Sequence, residues 1–418
     1  MATILPFRAL CPNPSLVEKV ASPPYDVLSS KEARDMARTN EQSYLHIIKP
    51  EIDLDETADP YSDRVYTQGA QNLKRFMNEH VLLQENESGY YLYQQKMGEH
   101  VQTGFVGIAS VDEYETGIIR KHEHTRPYKV KDRVSLMATL NAQTGPVFMA
   151  YRQTQSMAEL SSMLLQKSRK LYDFKSYFDV HHVFYKVDFA AHKDLIKEAF
   201  SNVPALYIAD GHHRSESASV YCKQKRQQFP NYTGDEPFNY FLTVTFPDSD
   251  LLVLSYNRIV RDLNGQSLDT FLNRIGKNFL VRQLDKNFDG IKSPRTFGMY
   301  LAHRWYLLEI KEQFIPADAV KKLDVSILQD NLLFPILDIE DPRTNNRISF
   351  VGGIRGDQEL EKLVDSGAHA VAFSLYPTSM QQIMDVADAG RVMPPKSTWF
   401  EPKLLSGLAT HLLDEGIG

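Results

Sequence analysis

One short segment constrains the fold of this chain more than any other, because it joins an apolar run to a polar turn and then to a helix-forming stretch. Residues 205–209 read Ala-Leu-Tyr-Ile-Ala, and residues 210–214 read Asp-Gly-His-His-Arg. The next stretch, Ser215–Gln228, contains neither glycine nor proline. This order predicts a short buried strand, a sharp turn at Gly211 and a helix, a unit typical of α/β proteins.

The polar turn has the composition of an anion-binding junction. Gly211 lets the backbone turn sharply and approach a ligand closely. The first turn of the following helix offers unpaired N–H groups and a positive dipole end, and Arg214 adds a planar guanidinium that is always charged. These features predict a phosphate site. Two alternatives stay open: a surface turn whose polar residues are solvated, and an Arg214 held by a salt bridge to a nearby acid.

The length of the chain predicts more than one domain. A single core rarely grows beyond roughly 250–300 residues, and this chain has 418. The first region is rich in predicted strands, including hairpins at 90–111 and 238–256. Predicted helices and strands alternate in the second region. We therefore expect an α/β protein with a strand-rich region, residues 1–262, and a C-terminal α/β domain, residues 263–418.

Composition removes several classes of function. A net charge of −6 argues against extensive binding to nucleic acid or to anionic membranes. The two cysteines, Cys11 and Cys222, indicate neither a disulfide framework nor a cysteine zinc site. The first residues lack the features of a signal peptide, and no run of about 18 apolar residues predicts a membrane span. We expect a cytoplasmic protein whose oligomeric state is open, with a homodimer as one option.

A second polar cluster follows another predicted strand, near residues 117–120. It contains His122, Glu123, His124 and Arg126. Because loops after strands commonly carry ligands in α/β proteins, this cluster is expected to meet the Asp210–Arg214 turn. Together they supply guanidinium groups for phosphate, one carboxylate for Mg²⁺ and another to orient a hydroxyl nucleophile. The alternatives are a solvated loop and, with the imidazoles at 212 and 213, a zinc site.

A third polar segment lies near the C-terminus, at residues 391–403. Two prolines precede Lys396, Ser397 and Thr398, which gives a stiff loop that presents an ammonium group and two hydroxyls. We expect this loop to close over a phosphate. In the alternative, the aromatic pair that follows anchors the tail while Lys396 faces water. The chain contains neither a P-loop motif nor a Gly-x-Gly-x-x-Gly motif, so a nucleotide site here must belong to another fold.

Several ordered stretches resemble the bacterial family called domain of unknown function 1015, over nearly the whole length of the chain. The family name itself implies no function. The matching stretches are Pro6–Arg8, Pro23–Val27, His122–Thr125, Ala209–Arg214, Leu323–Leu328 and Met393–Thr398.

The Asp210–Arg214 turn further resembles the signature loop of the ParB/sulfiredoxin-like nucleotide-binding fold. Sulfiredoxins carry Gly-Cys-His-Arg, and His212 stands here at the cysteine position. ParB-type CTPases carry Gly-x-Arg-Arg, and His213 replaces the first of those arginines. Free-serine kinases carry Asp-Gly-His-Thr-Arg, from which this chain differs only at His213. The resemblance implies a ParB/sulfiredoxin-like mixed-sheet core with family-specific additions.

The resemblance to free-serine kinases also implies an activity, cofactors and site roles. The activity is nucleotide- and Mg²⁺-dependent phosphorylation of a small hydroxyl compound, with ATP or ADP as donor and free L-serine as the candidate acceptor. A nucleotide-sensing regulator and a metal-dependent hydrolase are the alternatives. The implied roles are catalysis for Glu123, Asp210 and His212, Mg²⁺ binding for Asp210, nucleotide binding for Gly211, His213, Arg214, Lys396, Ser397 and Thr398, and substrate binding for His122, His124 and Arg126.

Overall fold

A computed structural model describes residues 1–176, 179–284 and 288–414 of the chain. The α-helices are α1 Val17–Val20, α2 Ser30–Ala37, α3 Leu45–Ile48, α4 Asp63–Asn78, α5 Val111–Glu115, α6 Pro127–Leu140, α7 Gln155–Lys167, α8 Ala190–Ser201, α9 His212–Gln228, α10 Leu268–Asn278, α11 Asp324–Leu328, α12 Asp357–Asp365 and α13 Met380–Asp388. The strands are β1 Ile4–Leu5, β2 Ala9–Pro12, β3 Leu82–Gln84, β4 Tyr90–Met97, β5 His100–Ser110, β6 Ile119–Arg120, β7 Ala142–Gln143, β8 Val147–Tyr151, β9 Arg169–Lys175, β10 His181–Val187, β11 Leu206–Asp210, β12 Tyr240–Pro247, β13 Leu252–Leu254, β14 Tyr256–Val260, β15 Phe279–Gln283, β16 Thr296–Leu301, β17 Arg304–Ile310, β18 Ile348–Gly352, β19 Val371–Leu375, β20 Trp399–Glu401 and β21 Thr410–Leu412.

The chain divides into two compact units, and the first is discontinuous in sequence. Unit 1 comprises Met1–Leu251 together with the segment from Pro402 onward, and unit 2 comprises Leu252–Glu401. The segment after Pro402 therefore packs with the N-terminal part of the chain. The sequence predicts two domains, residues 1–262 and 263–418. That these regions fold independently stays a prediction.

A large mixed sheet forms the centre of unit 1, so the predicted α/β class is confirmed. Its strand order is β6-β11-β8-β12-β5-β4-β10-β9, and β1 also pairs with β5. Two pairs are parallel, β11 with β6 and β12 with β8. The core on this sheet includes the fully buried Phe105, Met149, Ile196 and Phe241, which lie on strands and on α8.

The pairing of β6 with β11 determines where the two polar clusters lie. Leu206 is in register with Ile119, and Tyr207 with Arg120. Because the strands are parallel, their carboxyl ends lie at the same edge of the sheet. The loops that follow them, 121–126 and 210–214, therefore leave the sheet side by side.

A smaller antiparallel sheet in unit 1 contains the C-terminal strand. Its order is β3-β2-β21-β7. Leu10 pairs with Thr410, and Gln143 pairs with His411. A helical core of α2, α3, α4 and α6 packs beside it, with Leu45, Leu73 and Leu140 among its buried residues. The sheet thus fixes the last described residues to the first strands of the chain.

Unit 2 contains a six-stranded antiparallel sheet in the order β15-β17-β16-β19-β14-β18. A cluster that includes Ile259, Leu360 and Ala372 packs this sheet against α12. The hairpin predicted at residues 238–256 is wrong, because β12 pairs with β5 and β8 whereas β13 pairs with β20. The Asp248–Asp250 segment between them forms a 3-10 turn rather than a hairpin loop.

In the ranges that the structure describes, none of the helices is both long and apolar enough to cross a membrane.

Candidate functional site

The Asp210–Arg214 turn joins a buried strand to the longest α-helix described here. β11 ends at Asp210, Gly211 has a φ of 96°, and α9 begins at His212. A side chain at Gly211 would be strained in this left-handed conformation, and its Cβ would lie 3.4 Å from the Val147 Cα. Within the described part of the chain, no side chain caps the N-terminus of α9. The predicted strand, turn and helix are confirmed, and the helix begins three residues before the expected Ser215.

The two polar clusters meet through two histidine side chains of α9. The backbone N–H of His122 donates to Nε2 of His212 at 3.3 Å, and the N–H of Arg126 donates to Nε2 of His213 at 3.0 Å. A ring nitrogen that accepts a hydrogen bond must be unprotonated, so both imidazoles are neutral in this arrangement. The predicted proximity of the two polar clusters is confirmed. His212 and His213 hold the 121–126 loop against the helix.

Burial explains why these imidazoles stay neutral. Burial and the neighbouring His122 lower the pKa of His212 well below its usual range. Burial and the charge of Lys129 lower the pKa of His213 to about 4. The pKa of the buried His122 is also lowered to about 4 by burial, against an opposing effect of Asp210. His122 packs edge-on to His212, with ring centroids 4.5 Å apart.

The carboxylate of Glu123 lies beside His212. Its Oε2 lies 4.0 Å from Nδ1 of His212, and 47% of its side chain is exposed. Since Nε2 of His212 accepts a hydrogen bond, the proton of the neutral ring is assigned to Nδ1, on the side of Glu123. A solvent-accessible carboxylate and a buried imidazole N–H therefore face each other at the edge of the turn.

Asp210 is ionised and has two partners. Its Oδ1 accepts the backbone N–H of Gly211 at 2.7 Å, and its Oδ2 accepts a hydrogen bond from Nζ of Lys403 at 3.0 Å. Burial raises the pKa of Asp210, but the charges of Lys403 and Arg214 outweigh burial and hold that pKa well below its usual range. The carboxylate is thus both fixed in orientation and charge-balanced.

Arg214 is held by a salt bridge, as one of the alternatives from the sequence predicted. Its Nη2 lies 3.3 Å from Oδ2 of Asp26, and its Nη1 donates to the carbonyl of Pro146. Its Nε is buried without an acceptor in the described residues. The guanidinium therefore retains at least one unused donor beside the helix N-terminus.

A narrow cavity of about 40 Å³ lies beside Arg214. Tyr25, Arg133, Gly145 and Arg214 are among its lining residues, and the Arg133 guanidinium lies 4.0 Å over the Tyr25 ring. A water molecule needs roughly 10–15 Å³ on this measure, so the cavity has space for a few waters or one small polar group. It is too small for a nucleoside.

The other predicted substrate residues lie at the surface of the same loop. His124 and Arg126 are exposed. Nη1 of Arg126 lies 3.4 Å from the Tyr128 hydroxyl. The structure thus places His122 inside the cluster and His124 and Arg126 on its outer side.

Lys396, Ser397 and Thr398 belong to unit 2, where backbone carbonyls hold the loop. Ser397 donates from Oγ to the Pro394 carbonyl at 2.6 Å, and the Lys396 carbonyl accepts from Arg258 at 3.0 Å. Lys396 has a φ of 58°, and its exposed Nζ lies 5.2 Å over the Tyr256 ring. Thr398 is half-buried. The predicted binding of nucleotide phosphates by this loop stays a prediction.

Two residues of the cluster, Asp26 and Lys403, were not predicted from the sequence. Asp26 belongs to the Pro23–Val27 stretch, a family match that forms a 3-10 turn at Tyr25–Val27. Lys403 follows Pro402 at the end of the third polar segment. Each charge follows a proline, Lys403 directly and Asp26 after one intervening residue, but this pattern does not indicate the partner of either charge.

The described residues do not by themselves complete a metal site. Within residues 1–176, 179–284 and 288–414, no group of three or more His, Cys, Asp or Glu side chains could hold a metal ion. The zinc alternative therefore finds no ligand set there. Mg²⁺ is commonly bound through one or two carboxylates with substrate phosphates and waters completing the shell, and Asp210 could supply one carboxylate.

Fold and site together define an α/β protein with an uncapped strand–turn–helix junction surrounded by paired ionisable groups. The chain belongs to a family described as proteins of unknown function (DUF1015), whose sequence profile matches residues 4–326. The segment at 393–398 lies outside the matched range. No curated protein matches the sequence.

Three solved structures show distant similarity. A conserved hypothetical protein from Pyrococcus furiosus has 12% identity and a TM-score of 0.35, over 71% of this chain and 90% of that chain. A free serine kinase in complex with AMP has 12% identity and a TM-score of 0.35, over 71% and 86%. SbnI from Staphylococcus aureus, truncated at its C-terminus, has 11% identity and a TM-score of 0.38, over 72% and 85%. Similarity at this level defines neither a shared activity nor shared ligands.

Proposed function

We propose that this protein binds ATP or ADP at the Asp210–Arg214 turn and transfers a phosphoryl group to a small hydroxyl compound, with free L-serine as the first acceptor to test. The observation that carries the proposal is the uncapped N-terminus of α9 directly after the left-handed Gly211. The N–H groups of His212 and His213 have no partner within the helix and suit an anionic oxygen, whereas the N–H of Arg214 donates to the Gly211 carbonyl at 2.8 Å. The residue matches to the Asp-Gly-His-Thr-Arg loop of free-serine kinases support the same assignment.

In this proposal the phosphates lie against the first turn of α9. Gly211 allows close approach of the backbone, and Arg214 donates from the guanidinium nitrogen that has no acceptor among the described residues. His213 contributes by fixing the neighbouring loop rather than by charge, since its Nε2 accepts from Arg126. A contact of Lys396, Ser397 and Thr398 with the nucleotide remains an expectation from the sequence.

Glu123 and His212 are proposed to act on the acceptor hydroxyl. Glu123 is exposed, and its Oε2 lies 4.0 Å from Nδ1 of His212. It takes the proton of the hydroxyl as the oxygen attacks the terminal phosphorus, while the bond from that phosphorus to the bridging oxygen of the nucleotide breaks. His212 donates its Nδ1 proton in a hydrogen bond to a transferring oxygen, and His122, His124 and Arg126 orient the acceptor. Mg²⁺, held in part by Asp210, supplies charge neutralisation for the phosphates when it is bound.

A nucleotide-sensing regulator is the second candidate, and the ion pairs favour it. Arg214 already pairs with Asp26, and Asp210 already pairs with Lys403. A ligand that binds Arg214 or Asp210 would compete with one of these ion pairs. It would thereby change the contacts of the 23–27 turn or of the segment that contains Lys403, and such a change can transmit binding to a surface.

Two measurements test the proposal. Thermal unfolding with ATP, ADP, CTP or GTP, each with and without Mg²⁺, detects binding, because a ligand at 100 times its dissociation constant stabilises by about 2.7 kcal/mol. Multiple-turnover formation of a phosphorylated amino acid from serine then separates the two candidates, since the regulator forms none. No stabilisation by any nucleotide would contradict both. The cytoplasmic location and the homodimer remain expectations from the sequence.

A further inference from the structure

Lys403 is a partner of Asp210 that lies far along the chain from it. Its Nζ lies 3.0 Å from Oδ2 of Asp210, and only 20% of its side chain is exposed. The pair joins residues 193 positions apart. Lys403 follows unit 2 in sequence, yet it belongs to unit 1 with Asp210.

A carboxylate at this position opposes anion binding. Asp210 directly precedes Gly211, and its Oδ1 is bonded to the Gly211 N–H. A negative charge beside a helix N-terminus favours the helix, but it cancels the positive potential that would attract a phosphate. A phosphate at the first turn of α9 therefore needs Asp210 to be neutralised.

Two separate ion pairs balance the charges around the turn. Arg214 pairs with Asp26, and Asp210 pairs with Lys403. Each acid thus has a paired cation, and the charge of Arg214 acts on Asp210 as well. The start of α9 adds its own positive potential to this balance. Removing Lys403 alone would leave the charge of Asp210 without its hydrogen-bonded cation, with the Arg214 guanidinium already engaged by Asp26.

We infer that Lys403 is the built-in counter-charge of Asp210, a positioning residue that allows the Asp210–Arg214 turn to bind a phosphate group without a metal ion. The inference rests on the nucleotide binding proposed above. Mg²⁺ and Lys403 would each neutralise the carboxylate of Asp210. Because Lys403 already does so, phosphate binding at the turn does not require the metal ion.

The test is nucleotide affinity, measured by calorimetry on the full chain in EDTA and again in Mg²⁺. Lys403→Met should weaken ADP and ATP binding in EDTA by at least about tenfold, as expected when a charge-assisted contact is lost. Mg²⁺ should restore most of that loss, because the cation takes over Asp210. Lys403→Arg should bind within roughly threefold of the parent, since it keeps the charge.

The decisive variant combines Lys403→Met with Asp210→Asn. It removes both charges, so metal-free affinity should return towards that of the parent, and Mg²⁺ should no longer improve it through this carboxylate. A lysine with a purely structural role predicts the opposite, namely that the double variant binds no better than Lys403→Met. Lys223→Met is the matched control, because Lys223 lies on α9, beyond its first turn, in an exposed pair with Glu115 at 2.7 Å.

Unchanged metal-free affinity in a folded Lys403→Met protein would overturn the inference, as would a double variant that gains nothing. Failure of the proposed function has a different signature, namely a parent protein that binds no nucleotide in either buffer. Inorganic pyrophosphate then serves as the probe for the same variants. Pyrophosphate binding with the expected pattern would uphold the role of Lys403 alone, and a parent that binds no pyrophosphate would overturn that role as well.

Discussion

The Asp210–Arg214 turn of unit 1 and the 393–398 loop of unit 2 carried the same expectation from sequence, yet their environments differ. The first gathers partners from distant parts of the chain, namely Asp26, Glu123 and Lys403. The second is held through backbone carbonyls: Ser397 donates to the Pro394 carbonyl, and Arg258 donates to the Lys396 carbonyl. Similar polar composition thus leads to a cluster of ionisable groups in one case and to a loop held by its backbone in the other.

The difference teaches that residue type indicates what a loop can bind, whereas its partners decide which groups are still available. In the turn of unit 1, the helix N-terminus is uncapped and Arg214 keeps a buried donor without an acceptor in the described residues. In the loop of unit 2, the Lys396 carbonyl accepts from Arg258 and the Ser397 hydroxyl donates locally. The following experiments compare the two sites directly.

The largest expected effect is a loss of stability in acid that depends on the histidines of the unit 1 cluster. Burial lowers the pKa of His122 from its ordinary value of 6.5 to about 4. The unfolded chain therefore takes up the proton first as the pH falls. The stabilising contribution is complete above about pH 6.5 and is lost towards pH 4, by roughly 3 kcal/mol for this one group.

Urea denaturation of the parent and of His122→Phe, from pH 7 to pH 4.5, measures this contribution. The phenylalanine variant should lose less free energy of unfolding across the range, because it has no ring nitrogen to protonate. His124→Phe is the control, since His124 is exposed on the same loop. Equal pH dependence of the parent and His122→Phe would show that the buried ring makes no such contribution.

The next effect concerns the guanidinium in the unit 1 turn. Arg214→Lys should keep the fold and the charge, yet lose on the order of tenfold or more in nucleotide affinity and turnover, which corresponds to ~1.5–3 kcal/mol for a charge-assisted hydrogen bond. An ammonium group cannot serve Asp26, Pro146 and a phosphate with the planar geometry of guanidinium. Calorimetry and initial rates provide the two readouts.

Arg226→Lys, on the same helix in an ion pair with Asp112 at 2.7 Å, should bind nucleotide like the parent. If Arg214→Lys also bound and turned over like the parent, Arg214 would be a structural residue, and the phosphate assignment of the turn would be wrong.

The smallest effect is expected in the unit 2 loop. Lys396→Ala should weaken nucleotide binding by a few-fold without unfolding the protein, since the exposed ammonium would contribute only about 1 kcal/mol. Thermal unfolding and calorimetry measure the two properties separately. Lys321→Ala, at another exposed lysine of unit 2, is the control. A Lys396→Ala protein that loses stability but binds normally would mean that the loop only anchors the tail.

Local features of the fold could be predicted from the sequence, because their signals lie within a few residues. The hairpin predicted at residues 90–111 is confirmed by the pairing of β4 with β5. The hairpin at 238–256 was wrong for a physical reason. A polar proline-containing turn signals a reversal of the chain, but it does not specify which strands then pair.

The candidate site also has one feature that the sequence could predict and others that it could not. The meeting of the 121–126 loop with the Asp210–Arg214 turn followed from two strand ends, and the parallel pairing of β6 with β11 produces it. The ion pairs of Asp26 with Arg214 and of Lys403 with Asp210 join residues 188 and 193 positions apart. Nothing in the local sequence selects these partners, since any exposed acid or lysine satisfies the same pattern.

The return of the C-terminal segment to unit 1 also has a consequence for biosynthesis. Strand β2 is made long before β21, but Leu10 pairs with Thr410, and the Tyr44 hydroxyl bonds to the Thr410 side chain. During translation that edge of the sheet stays open, and Asp210 stays without Lys403, until the residues of unit 2 and those of β21 have left the ribosome. Contacts of such long sequence separation form late and expose unpaired strand edges while they are awaited. Maturation of the site is therefore timed by the segment that follows unit 2, and chains released before Lys403 would carry the Asp210–Arg214 turn without its counter-charge.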